Sequence, residues 1–86
     1  LDEHTLIAER ERAHQAKHLL ENTLYLEAKS IVLNNLTEAW QGTSVAQADD
    51  RERIYHMLVA ARSVFDHIDG VMQTGKLAQI QLDNNR

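Results

Sequence analysis

Proline is absent from all 86 residues, and the three glycines fall at positions 42, 70 and 75. Neither of the two strongest helix breakers therefore occurs before Gly42, which favours long helices. Cysteine is absent as well. That excludes disulfides, thiolate zinc sites and thiol catalysis, and it fits a reducing compartment, so the cytosol is the expected location. Neither sign of charge is gathered into a block: 13 acidic residues against 9 basic ones give a net charge of −4. The chain thus lacks the basic face of a nucleic-acid binder and the dense acidic face of a nucleic-acid mimic. No apolar run approaches the roughly 18–20 residues that cross a bilayer, and the opening residues are polar rather than signal-like. A chain this short buries a smaller fraction of its surface than a mid-sized domain does. With disulfides closed to it, association with other copies is the expected source of further stability.

What is present reads as helix. Residues 2–41 are mostly strong helix formers, and Gly42 offers a left-handed residue to end them, giving one expected helix about 60 Å long. Ser44 and Gln47 have the spacing of a capping box, and Asp49 and Asp50 place negative charge near the following N-terminus. A loop at 42–44 and a second helix at 45–74 follow, closed by Gly75 and Lys76, with 75–86 as a tail. The expected fold is all-α: a long antiparallel two-helix hairpin with a short C-terminal tail, in one domain, assembled into a homo-oligomeric bundle. Leu77, Ile80 and Leu82 are apolar enough to dock the tail on a neighbouring groove.

The second helix carries the clearest pattern. Ile54, Met57, Ala61, Val64, Ile68 and Val71 follow three-four spacing and are the expected core seam, widened by Leu58, Phe65 and Met72. In the first helix, Leu6, Ala13, Ala16 and Leu20 make only a thin stripe. Beyond Leu19 the apolar residues spread round most of the circumference: Leu19, Leu26, Leu33 and Trp40 form one column, Leu20, Leu24, Ala28 and Ile31 another, and Tyr25, Val32, Leu36 and Ala39 fill between. One antiparallel partner cannot cover so wide a face. Leu19, Leu26, Leu33, Leu36 and Trp40 are therefore the expected oligomer interface.

Residues that suggest chemistry are few. His14 and His18 stand one turn apart, the spacing of two metal ligands, but two ligands do not make a site, and exposed histidines on a polar half-helix are the simpler reading. Glu52, His56, Ser63 and His67 lie along one rod in nearly parallel directions, so they cannot converge on a substrate as a nucleophile, base and orienter must. Thr74-Gly75-Lys76 resembles only the end of a phosphate loop. No catalytic residue, metal or cofactor is expected, and the chain is read as non-enzymatic. Arg51, Arg53 and Arg62 with Tyr55 are a candidate anion-binding group, since guanidinium forks and aromatic faces recognise phosphates. Surface pairing with Asp49, Asp50 and Glu52 is the competing reading.

Leu19-Leu20-Glu21-Asn22, Glu38-Ala39-Trp40, Asp50-Arg51-Glu52-Arg53 and Gly75-Lys76-Leu77-Ala78, in that order and spacing, resemble a group of short helical proteins encoded by tailed bacteriophages. The resemblance spans most of the chain and carries over no site residue. It implies a viral origin and a bacterial host cytoplasm. The expected function is that of a phage assembly or accessory protein acting through association with itself, and possible partners extend to a host or phage protein. The alternative is a counter-defence protein that sequesters a host factor or an anionic signalling nucleotide between subunits.

Overall fold

The computed structural model describes residues 2–85; Leu1 and Arg86, the last residue of the expected tail, lie outside the described residues. It holds three helices, α1 (Glu3–Glu21), α2 (Thr23–Gln41) and α3 (Ala48–Asn84), and no strand among the described residues. The all-α expectation holds. The single helix over 2–41 does not: it is two helices of 19 residues each. The break is Asn22, whose ψ of 121° leaves the helical region while its N–H donates to the Leu19 carbonyl. Asn22 and Thr23 are adjacent poor helix formers whose side chains compete for backbone groups, which a reading based on proline and glycine alone overlooks.

The chain divides into two compact units, one formed by Leu1–Asn22 with Asp66–Arg86 and one by Thr23–Phe65. In the first unit, α1 starts at an Asp2 cap, the Thr5 N–H donating to Asp2 Oδ1 at 2.7 Å. That bond holds the Asp2 carboxyl below its ordinary value. The α1 helix lies antiparallel to the C-terminal part of α3. Leu6 packs with Ala78 and Leu82 in the buried cluster, and Ala13 meets Gly75. Gly75 was expected to end a helix; it sits in the interior of α3 and is buried. A Cβ at position 75 would run into the Ala13 Cβ and lie 3.0 Å from the Glu9 carbonyl oxygen. Its missing side chain admits α1, and burial of Ala78 and Leu82 beyond it offsets the roughly 1 kcal/mol that an interior glycine costs a helix.

The expected tail is therefore helical to Asn84. Leu82 docks as expected, whereas Leu77 and Ile80 remain 63% and 55% exposed. On a helix that buries Gly75, Ala78 and Leu82, positions 77 and 80 fall on other faces.

In the second unit, α2 and the N-terminal part of α3 form an antiparallel hairpin. The connection covers 42–47, longer than the expected 42–44, and α3 begins at Ala48 rather than 45. No described residue has positive φ, so Gly42 does not take the left-handed closure expected of it. Its N–H instead continues the helical ladder to the Glu38 carbonyl at 2.9 Å. Thr43 then caps α2 with both its N–H and its hydroxyl on the Trp40 carbonyl. Half of the capping box is present: the Ser44 N–H donates to Gln47 Oε1 at 2.8 Å. Gln47 occupies the cap position itself, its carbonyl accepting from the Arg51 N–H.

Candidate protein-association site

The hairpin of the second unit is held by few residues. Leu58 is its only buried large side chain among those described, and α2 has no buried residue at all. The Tyr25 and Phe65 rings meet edge to face at 6.1 Å, with the Lys29 ammonium 5.5 Å from the Phe65 centroid. Leu33, Leu36 and Thr37 are half-buried on the same side of α2. These residues define the inward face.

Outside that face the helix carries further large apolar side chains, interleaved with Glu27, Asn34, Asn35 and Glu38. Leu24 is 71% exposed, and Leu26, Ile31, Val32 and Trp40 are exposed as well. Leu24 and Ile31 stand about 160–180° from Leu33 at 100° per residue, on the back of the hairpin. Within the same unit α3 exposes Tyr55, Met57, Val59 and Val64, and the loop exposes Val45.

Of the residues assigned to the oligomer interface, Leu26 and Trp40 are exposed beside the inward face, Leu33 and Leu36 are half-buried within the hairpin, and Leu19 is exposed on the other unit. The core seam divides. Ile54, Ala61, Ile68 and Val71 are half-buried, but Met57 and Val64 are exposed while the neighbouring Leu58 and Phe65 do the packing. An apolar face wider than one partner helix has two edges, and spacing cannot tell which edge the partner takes. Among the exposed residues that the interface assignment left out, Leu24 and Ile31 belong to an apolar column round the helix from the inward face, whereas Met57 and Val64 belong to the expected seam itself.

The candidate anion-binding residues are not brought together. The Arg51 guanidinium donates to the Ser44 carbonyl at 2.7 Å and ties the loop to α3. Arg53 pairs with Asp50 at 3.2 Å on the surface. Arg62 is exposed, and Tyr55 lies edge-on to the neighbouring His56 ring. The open pocket at the α3 N-terminus is lined by Ala46, Gln47, Ala48, Asp49 and Asp50, so its carboxylates disfavour an anion there.

The polar back of α3 is occupied locally. His56 faces Glu52 at 3.4 Å, and the Ser63 hydroxyl donates to the Val59 carbonyl one turn earlier. His67 belongs to the first unit, where it lines a cleft of 290 Å³ with Glu9, Arg12, Gly70, Val71 and Thr74. That cleft gathers groups able to carry protons, but its walls are continuous helices whose backbone N–H groups are spent on the helical ladder, leaving no oxyanion donor pair. No group of three or more His, Asp or Glu side chains suited to a metal occurs among the described residues, so His14 and His18 gain no third ligand.

No helix among the described residues is long and apolar enough to cross a membrane. No family model, curated protein or solved structure matches the chain.

Proposed function

We propose that this chain is a non-enzymatic helical protein that works by self-association, further copies covering the apolar surface of the Thr23–Phe65 unit. The observation that carries the reading is α2: none of its residues is fully buried, and it exposes Leu24, Leu26, Ile31, Val32 and Trp40. Keeping several such side chains in water forgoes roughly 1.5–3 kcal/mol each. A second copy is the natural occupant because an isologous contact needs no complementary surface beyond the one the chain already has, and a small single chain gains the core it lacks. In keeping with the resemblance to short phage proteins, the role proposed for this association is that of a tailed-bacteriophage assembly or accessory protein in the bacterial cytoplasm. Sequestration of a host factor or nucleotide between subunits is the weaker reading, since Arg51 and Arg53 are engaged within the chain.

The test is solution mass with and without Ile31→Glu. The parent should be a multiple of the chain mass at micromolar concentration, and Ile31→Glu should lower the subunit number while retaining helical circular dichroism. An unchanged mass in Ile31→Glu and in Leu24→Glu would remove the back of α2 from the interface.

A further inference from the structure

We propose that the cleft between α1 and the C-terminal part of α3 binds the phosphates of a small phosphorylated molecule of the nucleoside-polyphosphate class. The site lies within one unit of one chain, so it stands or falls independently of self-association. Its walls are Arg10, His14 and Lys17 from α1 and Lys76 and Gln79 from α3, over a floor of Ala13, Met72 and Gly75. Arg10, His14 and Lys17 follow the i, i+4, i+7 spacing that puts side chains on one helix face. Lys76 reaches the same cleft because its neighbour Gly75 lets the backbones approach at Ala13.

Three observations point to an anion. No carboxylate lines the cleft, although acidic residues outnumber basic ones 13 to 9 in the chain. Asp83, on the same stretch of α3, is turned along its own helix as acceptor for the Gln79 amide at 2.9 Å. Among the described residues Arg10, Lys17 and Lys76 form no ion pair or hydrogen bond, in contrast to Arg51 and Arg53, which do. Like charges gathered from two helices repel one another, and a bound polyanion reverses the sign of that term.

Size and floor narrow the ligand. The cleft holds 140 Å³, below the roughly 300 Å³ at which pockets enclose a whole small molecule. Phosphates therefore sit among the cations, and the remainder of the ligand lies over the apolar floor, where the half-buried Met72 thioether suits an aromatic base. A long nucleic acid is disfavoured, because no basic stripe continues from the cleft and the chain is acidic overall.

Titration calorimetry of the full chain with inorganic tripolyphosphate and, separately, with ATP, both metal-free at about 0.05 M salt, tests the site. Saturable binding of one ligand per chain is expected, tighter for ATP than for tripolyphosphate by the contribution of the base. Arg10→Gln with Lys76→Gln should weaken both more than about tenfold, and Met72→Ala should weaken ATP alone. Arg62→Gln should leave both unchanged. Lys76 and Arg62 are exposed and Arg10 is half-buried; circular dichroism of the charge variants should match the parent. Absence of saturable binding by either ligand, or equal loss in Arg62→Gln, would overturn the proposal. Equal affinity for the two ligands with no effect of Met72→Ala would overturn its nucleoside part.

Discussion

At the scale of single residues the two glycines of α3 make opposite predictions. Gly70 has nothing within 4 Å of where a Cβ would stand, and its φ is ordinary. Gly70→Ala should therefore stabilise the chain by up to about 1 kcal/mol through helix propensity and the reduced freedom of the unfolded chain. Gly75→Ala carries the same gain in propensity, but its new methyl meets Ala13, and it should lower stability by about 1–3 kcal/mol as overpacking does. Thermal unfolding of the two variants checks both signs, and two increases would show that α1 does not approach α3 at Ala13. Asp2 gives a pH prediction. Its folded carboxyl is held low by the Thr5 N–H, so its contribution is present above the ordinary carboxylate value and fades as pH falls through the lowered one. Protection of the Thr5 amide against hydrogen exchange should fall over that acidic interval, and Asp2→Asn, which retains an acceptor, should remove most of the pH dependence.

At the scale of elements, the end of α3 is the part whose role changed most between pattern and structure. Residues 76–84 complete a helix that buries Ala78 and Leu82 on Leu6. Truncation after Gly75 should therefore expose Leu6 and lower the melting temperature, since one buried leucine is worth about 1.5–3 kcal/mol. In the full chain, amides 78–82 should exchange more slowly than that of Asn85; equal rates would show the end of α3 undocked. Ala61→Asp places a carboxylate on the half-buried line of α3 and should destabilise strongly, whereas Arg62→Ala on the exposed side should fall within about 0.5 kcal/mol of the parent.

Helix content was legible because three-four apolar spacing over Ile54 to Ile68 reads as helix, but the edge of that face that packs was not, since Met57 and Val64 stay exposed while Leu58 is buried. The break at Asn22 was not, because Asn and Thr stop a helix only where packing also allows it to turn. Gly75 was misread for the same kind of reason: a glycine near a charged lysine is a good terminator locally, and only the presence of Ala13 opposite shows that its use is close approach. Of the candidate sites, the wide apolar face of α2 was legible from its columns. The cluster of Arg10, His14, Lys17 and Lys76 was not, since Lys76 lies nearly sixty residues from its neighbours in space.

At the scale of the whole molecule, the chain has too little interior for the apolar residues it carries. Leu6, Leu58 and Leu82 are the large side chains it buries among those described, while more than that number stay exposed on α2 alone. Association that covers them is driven by apolar contact, so the subunit number should change little between about 0.1 and 1 M salt, where surface ion pairs are screened away. Self-association is most directly tested by the mass of the purified chain by light scattering at micromolar concentration, alongside its circular dichroism. The prediction is a monodisperse, helical species at an integral multiple, two or greater, of 9.8 kDa. A monodisperse, fully helical species at 9.8 kDa would contradict it.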